Sequence, residues 1–118
     1  MSQKLLFILN DGPYGTERSY NALRLARSAV KQDSVELRIF LFGDAAACAV
    51  AGQVTPDGYY NVDRMLRDAI RRGAETGVCG TCLDARGLRE LPLTEGAMRS
   101  TLDVATEWTL WADKVIVF

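Results

Sequence analysis

Residues 78 to 82 read VCGTC and set two of the chain's three cysteines, Cys79 and Cys82, three positions apart at the end of an apolar run. Such a pair admits four readings: a reversible disulfide, half of a metal site, a nucleophile that carries sulfur, or two thiols packed in a tight turn. The sequence contains no histidine. That removes cysteine–histidine catalysis, zinc sites of mixed cysteine and histidine ligands, and any histidine acid or base. Zinc bound by thiolates alone needs four ligands, and one chain supplies only Cys79, Cys82 and the distant Cys48. A metal would require pairs pooled from two subunits, so none is expected. A thioredoxin-like pair would open a helix in a different, mixed-sheet fold.

Neighbouring residues support the nucleophile. Backbone N–H groups from Gly80 onward can point at a sulfur on Cys79, and Arg86 follows in the same stretch. Both favour a thiolate and lower the thiol's pKa from its usual ~8.5. With no histidine or carboxylate dyad beside it, the site suits sulfur exchange, where the leaving group is itself a good thiolate. It is ill suited to amide hydrolysis.

The elements that must position these thiols follow from hydrophobic pattern. Lys4 to Leu9 is a short apolar run that ends in NDGPYG, a buried strand leaving into a turn. Thr16 is a candidate N-cap, with Ala22, Leu25, Ala26, Ala29 and Val30 on one face of a helix running to about Lys31. Val35 to Phe42 is the second strand, after which Gly43 and Asp44 supply a turn and a helix cap for AAACAVAG. Cys48 falls on the small-residue face of that helix and reads as packing. Gln53 to Tyr60 reads as an exposed loop, and Asn61 caps a helix with Val62, Met65, Leu66, Ala69 and Ile70 inward. Its Arg64, Arg67, Arg71 and Arg72 form a solvated face. Glu75 to Cys79 is a third strand, leading into a loop CGTCLDARG. A fourth strand near Met98, or within Leu88 to Leu93, has too weak a pattern to place. Thr101 to Trp111 is helical with Val104, Ala105, Trp108 and Trp111 on one face, and KVIVF closes the chain as a strand. The tryptophans suit a core or subunit contact better than a ligand cage.

Strands separated by helices imply crossovers, hence an α/β fold with a mainly parallel sheet of four to five strands covered on both faces. No linker or repeat divides residues 1–118, so a single domain is expected. The C-terminal strand ends then share one edge, where such folds keep their ligands. That edge gathers Gly12, Pro13, Tyr14 and Gly15 after the first strand, Asp44 after the second and the thiols after the third, with Tyr59 a further pocket residue.

At 118 residues, 48% hydrophobic and 25% charged, the composition is that of a folded domain. A net charge of -1 gives no cationic field for nucleic acid or lipid. The five apolar residues before Asn10 are too few for a signal peptide, and no window reaches the length of a membrane span, so a cytoplasmic protein is expected. NDGPYG lacks a hydroxyl-rich phosphate loop and no GxGxxG occurs, so neither a flavin nor a nucleotide cofactor is expected despite the flavodoxin-resembling pattern.

Across nearly its whole length the chain resembles the DsrE/DsrF-like sulfur-relay family, in particular its YchN-like branch. The resemblance rests on the order and spacing of NDGPYGTERSYNALRLA, FLFGDA, GYYNVDRML, VCGTCLDARG, LPLTEG and EWTLWADKVIVF. It implies a three-layer α/β/α sandwich and a cytoplasmic homo-oligomer, a hexamer in expectation. It also implies that a cysteine at the end of the third strand, Cys79 here, accepts sulfane sulfur as a persulfide from a donor protein and passes it to an acceptor. Cys82 departs from the single-thiol carriers and suggests a resolving thiol that releases sulfide. The other reading is a non-enzymatic oligomeric binding or redox-sensing module whose CxxC is structural or forms a reversible disulfide.

Overall fold

The computed structural model describes residues 2–118. Five strands, β1 (Gln3–Leu9), β2 (Val35–Leu41), β3 (Glu75–Cys79), β4 (Ala97–Ser100) and β5 (Lys114–Val117), form one parallel sheet in the order β4-β3-β2-β1-β5. The central strands are apolar on both faces, as a sheet covered on both sides requires. Phe7, Leu9, Ile39, Leu41 and Val78 face one layer and Leu6 and Phe40 the other, all with at most 1% of their surface exposed.

The first layer contains α1 (Arg18–Ala29) and α2 (Val62–Arg71), packed through Leu23, Ala26 and Leu66. On the opposite face lies α4 (Leu102–Trp111), with Ala105 buried against Leu6 and Phe40. This is the three-layer α/β sandwich that the alternation of elements predicts. The two tryptophans belong to the packing of α4. Trp108 stands edge-on to Phe40 with ring centroids 5.8 Å apart, and the Arg38 guanidinium lies 3.9 Å from the Trp111 centroid. Arg38 in turn pairs with Glu75 at 2.8 Å.

Several elements differ from expectation. The alanine-rich stretch after β2 is a 3-10 helix, Gly43–Ala49, whose buried Ala45, Ala46, Cys48 and Ala49 let its backbone lie flat against its neighbours. Phe42 precedes it as the cap residue and Asp44 caps nothing, because Arg86 recruits its carboxylate. At the start of α1 the cap position is Glu17, while Thr16 Oγ1 instead donates to Asp11 and accepts from the Arg18 N–H. The segment following β3 is not a loop but a short helix, α3 (Gly80–Ala85). The strand left unplaced in sequence is β4, an edge strand whose Met98 is 68% exposed and so carries no alternating pattern. Asn61 does cap α2, accepting from the Arg64 N–H at 3.0 Å, and Thr101 caps α4. No helix among the described residues is long and apolar enough to cross a membrane.

Candidate functional site

β3 ends at Cys79 and the chain turns there directly into α3, so Cys79 precedes the first helical turn and Cys82 lies within it. A spacing of three places both side chains on one face. Cys82 Sγ donates to Cys79 Sγ at 2.6 Å. Both are free thiols; Cys79 is buried and Cys82 half-buried.

Burial acts to raise the pKa of Cys79, but hydrogen bonds outweigh it and hold the thiol below its ordinary value. The donors are Cys82 Sγ, Thr81 Oγ1 at 3.4 Å, and the backbone amides of Cys82 and Thr81. Those amides approach the sulfur without closing a full cap hydrogen bond. Cys82 moves the other way. Its burial, its donation to Cys79 and the neighbouring sulfur charge push it up, against the Gly43 N–H at 3.1 Å and the charge of Arg86. When the pair gives up one proton, Cys79 is therefore the thiol that becomes charged, and Cys82 keeps its own. Gly43 can present that N–H because it turns through φ +56°, a conformation that a residue with a Cβ adopts only under strain.

Arg86, expected to stabilise Cys79, serves Cys82 instead. Its Nε donates to Asp44 Oδ1 at 2.8 Å and its Nη1 to the Cys82 carbonyl at 3.1 Å. The helical turn of α3 carries it away from the strand end. Another guanidinium reaches the start of α3 from β4: Arg99 donates to both oxygens of Asp84, at 2.8 and 2.7 Å. Sequence reasoning missed Arg99 because β4 could not be placed. It missed Thr81 although a hydroxyl two residues beyond Cys79 was legible as a donor.

The expected pocket is two clefts that share Pro13, Gly15 and Thr16. One, of about 530 Å³, is bordered by Gly12, Asp44 and Arg86, and of these Arg86 reaches the thiol segment, through the Cys82 carbonyl. The other, of about 620 Å³, has Tyr14, Tyr20, Tyr59 and Tyr60 as aromatic walls. Tyr14 also braces the fold, since its hydroxyl donates to Gln53 Oε1 and accepts from the Val62 N–H, tying the first loop to the start of α2. Cys48 lies apart from the pair and fully buried, its Sγ donating to the Asp11 carbonyl at 3.6 Å; burial pushes its pKa up to about 12. Among the described residues no group of three or more histidine, cysteine, aspartate or glutamate side chains could hold a metal ion.

Comparison with known proteins gives this geometry a context. The model of the DsrE/DsrF-like family matches residues 3–118. Protein YchN of Escherichia coli is 40% identical over 117 residues, covering 98% of this chain and 99% of that one. An uncharacterized protein of Methanopyrus kandleri is 38% identical over 111 residues, covering 94% and 90%. The crystal structure of the E. coli ychN protein superposes with a TM-score of 0.92 at 39% identity, covering 98% of this chain and 99% of that one. A conserved protein of unknown function from Bacteroides thetaiotaomicron, at 14% identity and a TM-score of 0.71 over 97% and 94% of the two chains, shares the fold.

Proposed function

The chain belongs to the DsrE/DsrF-like family, and from that premise we propose that it is a sulfur-relay-type protein in which Cys79 accepts sulfane sulfur as a persulfide. The observation that carries this reading is the contact in which Cys82 Sγ donates to Cys79 Sγ at 2.6 Å, which leaves Cys79 the more acidic thiol. The Cys79 thiolate attacks the outer sulfur of a donor persulfide R–S–SH. A sulfur–sulfur bond forms on Cys79, the donor's sulfur–sulfur bond breaks, and the donor leaves as the thiolate RS⁻. Transfer to an acceptor thiolate repeats the step in the opposite sense. When no acceptor arrives, Cys82, deprotonated, attacks the inner sulfur of the persulfide, which forms a Cys79–Cys82 disulfide and expels HS⁻. A cellular thiol then reopens the disulfide. The cycle suits a reducing cytoplasm, with donor and acceptor proteins as partners and the chain working as a homo-oligomer, a hexamer in expectation.

Intact-mass spectrometry after exposure to a persulfide donor tests the reading. Wild type and Cys82→Ser gain one sulfur, with the longer lifetime in Cys82→Ser because the resolving thiol is gone. Loading that survives Cys79→Ser unchanged refutes it. The same close contact favours a second reading, a reversible dithiol without sulfur transfer: a small disulfide RSSR is attacked by Cys79, and Cys82 then displaces RS⁻ to close the protein disulfide. Under that reading oxidation removes two hydrogens from wild type, while no variant retains a persulfide.

A further inference from the structure

Glycine at position 80 separates the two thiols of VCGTC by its lack of a side chain. A Cβ built on Gly80 would lie 2.8 Å from both the Cζ and the Nε of Arg99 and 2.9 Å from its Nη2, closer than a Cβ approaches a non-bonded atom. The Arg99 guanidinium therefore lies directly against the backbone of the residue that follows Cys79. Arg99 comes from β4, which pairs with β3 in a register that sets Arg99 beside Val78 and Ser100 beside Cys79. It is held in place by Asp84 of α3, whose carboxylate accepts from both Nη atoms in a bidentate pair that fixes the plane of the guanidinium. Arg89 also approaches Asp84, but only at 3.9 Å. The backbone of Gly80 has no positive φ that would itself demand glycine, and the missing Cβ leaves the space that the guanidinium occupies.

We propose that Arg99 is a positioning residue for the Cys79 thiolate: clamped by Asp84 across the bare backbone of Gly80, its guanidinium keeps a fixed positive charge beside the nucleophile. This rests on the sulfur-relay reading for its purpose, but not for its test. A fixed cation beside a strand-end sulfur favours its charged form and the approach of an anionic donor such as a persulfide anion. The hydrogen bonds to Asp84 do most to raise the pKa of Arg99, with the charges of Asp84 and, least, Cys79 adding to them. Arg99 also supplies the cation that sequence reasoning assigned to Arg86, with a different residue and from strand β4 instead of the end of α3.

The experiment is the pH profile of Cys79 alkylation by iodoacetamide in the full chain, followed by peptide mass spectrometry, with no sulfur donor present. Arg99→Gln shifts the midpoint upward and slows alkylation at pH 7 by about threefold or more, because the thiolate fraction falls. Gly80→Ala shifts it in the same direction, since its new methyl group displaces the guanidinium while alanine favours the helix more than glycine does. Arg99→Lys, which keeps the charge without the bidentate clamp, restores part of the shift. Arg89→Gln removes a cation from the same carboxylate but not from Gly80, and leaves the midpoint in place. An unchanged midpoint in both Arg99→Gln and Gly80→Ala overturns the proposal, as does a shift in Arg89→Gln equal to that in Arg99→Gln. A moved midpoint in a protein that never gains sulfur would sustain the role of Arg99 while refuting the relay.

Discussion

At the scale of single residues, two thiols one helical turn apart differ in acidity because only one of them receives the other's proton. Cys79 collects the Cys82 thiol and the Thr81 hydroxyl, while Cys82 is left donating. Cys79 should therefore be alkylated first as pH rises toward neutrality, with Cys82 following at higher pH, and mass mapping of a timed iodoacetamide reaction reads the order. Replacing the donor separates hydrogen bonding from redox chemistry. Cys82→Ala removes the bond and should raise the Cys79 midpoint, whereas Cys82→Ser keeps a hydroxyl donor and should raise it less. The third thiol is a separate case. Cys48 is fully buried and holds its proton to about pH 12 in the folded chain, but loses it in the ordinary thiol range once unfolded. Between those limits the native state binds more protons, so this contribution to stability is complete below the ordinary thiol range and is lost as pH rises toward 12. Native protein should show two thiols accessible to a disulfide reagent and a third only in denaturant; Cys48→Ala should flatten the alkaline fall in stability seen by urea titration.

Elements bring the site together through their ends. β3 delivers Cys79, the first turn of α3 delivers Thr81 and Cys82, the turn after β2 delivers the Gly43 N–H, and β4 delivers Arg99. The loop between the 3-10 helix and α2 is held by a separate polar network. Asn61 accepts from the Arg64 N–H at the head of α2 and donates to the Gln53 carbonyl at 2.8 Å. Asp63 accepts from the Gly52 N–H at 3.1 Å and from the buried Thr94 hydroxyl. Asn61→Ala loses both the cap and the tie, and should destabilise the fold by about 1–2 kcal/mol in urea unfolding while leaving the order of thiol alkylation unchanged. A change in that order would mean that α2 and its loop help to set the chemistry of the thiols.

For the molecule as a whole, the distribution of apolar surface bears on assembly. Leu102 and Leu110 of α4 and Val117 of the edge strand β5 are 69%, 82% and 63% exposed, and Met98 of the opposite edge 68%. Unpaired edge strands beside exposed leucines are costly surfaces for a chain alone in water. A homo-oligomer is the expected outcome in light scattering at micromolar concentration. Leu110→Glu should shift it toward smaller species while its circular dichroism stays that of wild type, because the side chain supports no contact in the core. A wild-type monomer would leave these surfaces unexplained and remove self-association from the proposed function.

The sequence by itself determined the alternation of elements, the parallel sheet, the cap at Asn61 and the place of Cys79 at the end of the third strand. These are local or periodic properties: a continuous apolar run, a side chain that can cap its own backbone, and helical spacing are visible without knowing what lies opposite. It also removed every histidine-dependent chemistry from a CxxC pair, because exclusion needs only composition. The tertiary structure alone decided which cation serves which thiol. Arg86 is seven residues from Cys79 in sequence yet turns with α3 toward Asp44 and Cys82, while Arg99 is twenty residues away and lies against Gly80. Strand pairing causes that exchange of roles. β4 is a short edge strand with little alternation of its own, and it acquires a position only by hydrogen bonding to β3, so nothing in its own residues could announce that it carries a charge to the site.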